Sequence, residues 1–539
     1  HKLATPGAGN IRHAFYGSVE AMVPICVNTA DTGITLSNVA QTICIWDARC
    51  FDDDGAFGRM PDGWYKEQYP FVDYVILMTF TGGKGYNEWY RFDETGTPHC
   101  DFSTPLRILK NVLRQGVRPV IVIGNVPYAL SDQSKIEADD YGWGNRLPPQ
   151  DYQEYFCYIS RFARMIADHF PAEEYRKWQF RIGTEPDNFH WWIGTEEEYY
   201  KLYDYSVAAL QKELGAEYLD VSLGNLENYM KWPDMLAHCV NGKNSYTGEI
   251  GTQVNRFSIS HYQLGAESLP YWKFPRILSE TLQRVKEYPQ LGITKVNVGE
   301  GQFLSDGMSP PHRLSNAQDG TEYGASWMAE MYHACCVNGC EYFANWAYHC
   351  DFWLTDQPML KVPAYHVAQI KNMSGCSTVA VTSGEAEKKG NTIGAIASVD
   401  PLKKHLQVMV YNHNLERENI AEDLEICISV DSPTDNVSVK AWLVDENHSN
   451  FFRKWLKDSV HIKRNESSAD FDTLGSLVDT EVAKLLEGDD LEFWTAQKQK
   501  YAQLDGLEEI PLSFSIKDHV IRIPYTLSGH GVLFLSVTN

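Results

Sequence analysis

The feature that most constrains this chain is a regular alternation of short β-rich runs and amphipathic stretches between about residues 40 and 370. The runs that read as strands are Thr42–Trp46, Tyr74–Thr81, Arg118–Gly124, Trp178–Gly183, Tyr218–Gly224, Phe257–His261, Lys295–Gly299 and Glu341–Trp346. Between them, segments such as Thr104–Gln115 and Gln150–Phe170 repeat their apolar residues at helical spacing. Such alternation builds a parallel sheet, because each parallel return needs a crossover connection. Eight strand–helix units predict closure into a (β/α)8 TIM barrel. An open, doubly wound sheet is the competing topology, and the lack of a glycine-rich phosphate loop after the first run disfavours it.

After about residue 375 the texture changes. Thr392–Ser398, Leu406–Tyr411, Glu425–Ser429, Val437–Val444, Val520–Ile523 and Gly531–Val537 are short, apolar and separated by turn residues. This pattern predicts an accessory antiparallel β-sandwich. A polar, helix-prone stretch interrupts it at about 450–505, and the strand-like residues 1–38 are expected to join it. The division expected is therefore 1–38 with the sandwich, 39–372 as barrel and 373–539 as sandwich.

Composition narrows the partners. The formal net charge of −24 argues against nucleic acid, which needs a basic footprint. No apolar run reaches the ~20 residues of a membrane helix, so no membrane span is expected. Aromatic residues are 13% of the chain, including 15 Trp, which suits a ligand with flat apolar faces and hydroxyl edges. Cys335, Cys336 and Cys340 lie together, but no second pair with partner histidines follows, and they read as small buried hydrophobes rather than a zinc site. The chain starts at His1 with no charged-then-apolar leader, which reads as a processed or tagged terminus, and sequons at Asn372, Asn436, Asn447 and Asn465 permit secretion. A secreted or periplasmic location is the expectation.

Reactive groups of a barrel project from the C-terminal ends of its strands. The fourth run ends in Gly183-Thr184-Glu185-Pro186-Asp187-Asn188 and the seventh in Val298-Gly299-Glu300-Gly301. Each carries one carboxylate just past the strand, on opposite sides of the mouth. Two facing carboxylates are what glycosidic cleavage requires: one protonates the leaving oxygen, the other attacks the anomeric carbon or activates water. Asn125, just past the third run, can bind a hydroxyl.

At this point the residues meet a family. Trp178–Tyr205, WQFRIGTEPDNFHWWIGTEEEYYKLYDY, resembles glycoside hydrolase family 39, retaining enzymes of the β-xylosidase and α-L-iduronidase kind, and so do Lys295–Gly301, Tyr90–Thr97, Asp101–Gly116, Val117–Leu130 and Leu443–Trp455. The resemblance implies Glu185 as acid/base and Glu300 as nucleophile. It implies that His261 steadies the nucleophile region and that Trp346 floors the sugar site. Thr184 stands where the clan usually carries an Asn that bonds the 2-hydroxyl, so either the substrate differs at that carbon or Asn188 supplies the contact. Trp191 and Trp192 follow shortly after and are expected to line the leaving-group side, with at least one of them in the core. No cofactor or metal is expected, and the substrate is a poly- or oligosaccharide. The other reading is a barrel that binds carbohydrate without turning it over.

Overall fold

The computed structural model describes residues 22–84, 87–136, 144–227, 235–264, 273–304, 321–345, 360–384, 391–402, 404–414, 419–430, 437–458 and 488–538. Among these, eight strands form one parallel sheet: Thr42–Ile45, Tyr74–Leu77, Arg118–Ile123, Gln179–Ile182, Val221–Leu223, Ser258–Leu264, Val296–Leu304 and Cys340–Asn345. Each pairs with its neighbours in chain order, and the eighth pairs with the first. Parallel bridges Ser222↔Arg256 and Leu226↔Ile259 join the fifth strand to the sixth and close the ring. The eight runs read from the sequence are these strands. The last residue of the eighth run, Trp346, lies outside the described residues.

Val75–Leu77 and Val120–Ile123 are buried on both faces, as strands lined inside by side chains and outside by helices must be. Two helices bracket the fourth strand. The helix before it, Tyr152–His169, starts at Asp151, whose carboxylate accepts from the backbone of Gln153 and Glu154. The one after it, Glu196–Leu214, starts with a capping box between Thr195 and Glu198, which fixes the helix origin ten residues past Glu185. One element was not foreseen: Tyr90–Phe92 and Pro98–Cys100 form a hairpin whose turn is held by Asp93 accepting from Thr95 and Thr97.

A second sheet of ten described strands is antiparallel except at one pairing. Strand Val23–Thr35 sits in its interior, antiparallel to Ser377–Ser383 and parallel to Glu422–Ser429. This sheet has its own apolar cluster, including Ile25, Val408, Ile426 and Leu535. It meets the barrel on helix Glu322–Val337, nearly all of which is buried. Ser326 hydrogen-bonds His413 (2.8 Å), His333 meets the Tyr411 hydroxyl (3.0 Å), and Glu322 accepts from Asn450 (2.9 Å) and Arg453. The polar stretch supplies helices Phe451–Asp458 and Gly488–Ala502, packed through Trp455 and Trp494. No helix among the described residues is long and apolar enough to cross a membrane.

Candidate active site

Glu185 follows the fourth strand in a left-handed backbone conformation (φ 37°), sparsely populated for a side-chain-bearing residue and a sign that the turn is held by its surroundings. The turn continues through backbone hydrogen bonds from Asn188, Trp191 and Trp192 back to Glu185 and Asn188. Tyr199 locks its base: the hydroxyl donates to the Ile182 carbonyl (2.7 Å) and accepts from Gly224 N–H (2.8 Å).

Glu300 lies within the seventh strand, in register with Ser260 of the sixth. The glycines beside it are required by close approach. A Cβ at Gly299 would stand 2.9 Å from the Arg181 guanidinium, and one at Gly301 would collide with the Phe343 ring.

Both carboxylates are buried, at 5% and 2% exposure. Glu300 accepts from the Asn225 amide and from the Tyr262 hydroxyl (2.9 Å), with Arg181 at 3.7 Å. The same Asn225 amide donates to Ser260 Oγ (2.5 Å), and Ser260 and Asn188 hydrogen-bond Glu185, the latter at 2.9 Å. One amide and one hydroxyl therefore link the two carboxyl groups. Burial, then the charge of Glu300, pushes the Glu185 carboxyl well above its usual range. The bonds from Ser260 and Asn188 oppose that shift, and Glu227 adds to it.

Asn188 thus grips Glu185, and Thr184 accepts from Arg181 (3.1 Å). Asn125, Thr184, Trp191 and Trp192 come together around one pocket, which Pro186 and Tyr199 also line. Asn125 spends an amide N–H on the Asn145 carbonyl (2.9 Å). The two tryptophans are buried rather than displayed: Trp191 packs edge-on to Trp46 (5.7 Å), and Trp192 donates to the Thr195 carbonyl (3.1 Å). Trp46, at the end of the first strand, carries the Lys84 ammonium 3.6 Å over its ring.

His261 requires a correction. The sixth strand runs on to Leu264, and alternation along it sends Ser260 and Tyr262 toward the carboxylates but His261 away from them. Its ring stacks on Phe274 (4.1 Å) and parallel to Trp327 (6.2 Å), and its Nε2 has no hydrogen-bond partner among the described residues. On this strand the hydrogen bond that holds Glu300 is made by Tyr262. Tyr262, Asn225, Ser260 and Arg181 are the residues that sequence reasoning missed. A buried Arg within the apolar run Phe180–Ile182 was the readable signal, since a charge on a barrel strand needs a partner inside.

A closed parallel α/β barrel with two buried glutamates, one just past its fourth strand and one within its seventh, defines the class of protein. Residues 87–275 match the model of glycosyl hydrolases family 39, and over that stretch the chain is similar to that family. Two curated β-xylosidases are similar to parts of it. That of Caldicellulosiruptor saccharolyticus is 34% identical over 106 residues, 20% of this chain and 21% of the relative. That of Geobacillus stearothermophilus is 31% identical over 117 residues, 21% and 22% of the two chains. These matches span about a fifth of each relative's length. A third relative, an α-1,4-L-rhamnosidase of Formosa agariphila, is 26% identical over 157 residues, 26% of this chain and 32% of that protein. A monomeric β-xylosidase from Caulobacter crescentus shares the fold, with a TM-score of 0.65 at 12% identity, covering 96% of this chain and 99% of the other.

Proposed function

We propose that this protein is a retaining glycoside hydrolase in which Glu300 is the nucleophile and Glu185 the acid/base. The observation that carries the reading is the linked, unequal pair: two buried carboxyls joined through Asn225 and Ser260, one of them pushed toward its protonated form by burial and then by the charge of the other. Glu300, ionised and aimed by Tyr262 and Asn225, attacks the anomeric carbon. Glu185 gives its proton to the departing oxygen. Once Glu300 is esterified its charge is gone, the upward push on Glu185 falls, and Glu185 takes a proton from the incoming water.

The relatives named above act on β-xylosides and α-L-rhamnosides, and a carbohydrate bearing one of those sugars is the first substrate class to test here. Wild type, Glu300→Ala and Glu185→Ala should be assayed on aryl β-xylosides, α-L-rhamnosides and α-L-iduronides and on matching polysaccharides, with the product anomer read by NMR. The expected result is release with retained anomer by wild type and a loss of several orders of magnitude in Glu300→Ala. Glu185→Ala should lose less on an activated aryl glycoside than on a poor leaving group. Release with inverted anomer, or Glu300→Ala turning over like wild type, refutes the assignment. Thr184, Asn125, Trp191 and Trp192 are assigned to the wall of the substrate cleft, Asn188 to the grip on Glu185, and Trp346 to the floor of the sugar site.

The ten-stranded sheet is read as a β-sandwich that braces the barrel, over residues 373–539 with the help of residues 1–38, the barrel being 39–372. Its separate apolar cluster and its purchase on helix Glu322–Val337 support this. Weakening that seam with Arg453→Ala should lower the unfolding temperature of the barrel as well, and melting of the sheet alone would refute the bracing role. A secreted or periplasmic location suits a polysaccharide substrate. Fractionation of producing cells tests it, and activity confined to the cytosol overturns it.

A further inference from the structure

Arg181 rises from the interior of the fourth strand and is 2% exposed. Its guanidinium donates to the Gly299 carbonyl (3.2 Å) and to Thr184 Oγ1 (3.1 Å), rests on Met78 Sδ (3.0 Å), and stands 3.7 Å from Glu300 Oε1. The hydrogen-bond donors to Glu300, Asn225 and Tyr262, are neutral. Arg181 therefore contributes a full, fixed positive charge beside a carboxylate in the buried barrel interior, where charge–charge interactions are less screened than in water.

That charge acts oppositely on the two half-reactions. In the first, a Glu300 oxygen bonds the anomeric carbon, the bond to the leaving oxygen breaks, and the Glu185 proton passes to the departing group. Glu300 loses its charge, and the adjacent cation resists that loss. In the second, water's oxygen bonds the same carbon, its proton goes to Glu185, and the ester bond breaks with its electron pair returning to Glu300. The carboxylate regains its charge beside Arg181, and the cation favours that departure.

Resting on the glycosidase reading above, we infer that Arg181 is a positioning residue that sets the balance between the two steps, hastening release of the sugar from Glu300 at the expense of its attachment. Thr184 and the Gly299 carbonyl fix the guanidinium, so the residue before the proposed acid/base also helps hold the charge beside the proposed nucleophile.

The test uses the full chain and the 2,4-dinitrophenyl glycoside that wild type turns over fastest. Rapid-mixing kinetics measure the burst of phenolate, and intact-protein mass measures the covalent glycosyl-enzyme. In Arg181→Gln, sugar release should slow on the order of tenfold or more relative to attachment, the scale that follows removal of a buried charge's partner. The variant should then show a burst and a steady-state population heavier by one glycosyl residue. Arg181→Lys keeps the charge, so its partition should stay that of wild type even where its overall rate falls. A general packing defect would slow both steps together. Equal slowing in Arg181→Gln, or no accumulation, overturns the inference while leaving the glycosidase reading intact. Accumulation in Arg181→Lys also overturns it, and this arm decides the matter alone should Arg181→Gln not fold. Wild type that turns over no aryl glycoside in the panel overturns both.

Discussion

Replacing His261 by Phe should make the protein more resistant to acid and leave its turnover nearly untouched. Burial lowers His261 from 6.5 to about 3, because the ring is enclosed between Phe274 and Trp327. The folded state therefore keeps this side chain neutral while an unfolded chain protonates it below about pH 6.5. The neutral ring's contribution is fully present above that pH and is lost progressively as pH falls toward 3. At pH 5 the unfolded chain has gained about 1.5 pH units of protonation free energy that the fold cannot match, or roughly 2 kcal/mol at ~1.36 kcal/mol per unit. Phe fits the same aromatic stack and cannot titrate. Every other ionisation is common to the two proteins and cancels in the comparison. Urea unfolding followed by tryptophan fluorescence at pH 7 and pH 5 should show the stability difference shifting by about 2 kcal/mol in favour of His261→Phe. A difference that stays constant between the two pH values refutes the burial argument. Turnover on an aryl glycoside should remain within about threefold, since RT is ~0.59 kcal/mol and His261 makes no contact with Glu300 whose loss would raise the barrier further. A loss of orders of magnitude would return His261 to the site.

Asn188→Ala removes a hydrogen bond that favours ionised Glu185, so the alkaline limb of the kcat/KM profile should move to higher pH; an unmoved limb counts against Glu185 as the acid. Gly299→Ala places a methyl against Arg181, Ser258 and Asn225, so kcat should fall by about tenfold or more while the circular dichroism spectrum is kept, one factor of ten being ~1.36 kcal/mol of barrier. Thr195→Ala breaks the capping box after the Glu185 turn and should cost about 1 kcal/mol in urea unfolding; no loss would mean that packing alone sets the helix start.

Much of the barrel was legible because its parallel strands are continuous apolar runs between helices, and the strand-end rule then leads to Glu185 and Glu300. The residues that surround them were not. Whether a side chain faces the barrel interior depends on register, and a strand's end cannot be read to within one residue from composition. The sixth strand extends to Leu264, and that extension makes Tyr262 rather than His261 the neighbour of Glu300. Asn225 lies two residues past the described strand Val221–Leu223, where no apolar pattern marks it. Strand Ser377–Ser383 escaped because it is only partly buried and half polar, and Glu508–Ile510 and Ser515–Lys517 are short and largely exposed. The parallel contact of Val23–Thr35 with Glu422–Ser429 joins segments too far apart in sequence for any local signal to connect.

That last pairing bears on how the chain is made. The Val23–Thr35 segment leaves the ribosome before the whole barrel, yet both strands that flank it lie beyond residue 376. At roughly 5–20 residues per second, it waits tens of seconds with its backbone groups unpaired while the barrel is synthesised. An exposed apolar strand is a template for association with other chains. Its inward-facing Val23, Ile25 and Val27 alternate with exposed residues in this interval, so chaperone demand and yield on expression should depend on this short segment more than on the barrel it precedes.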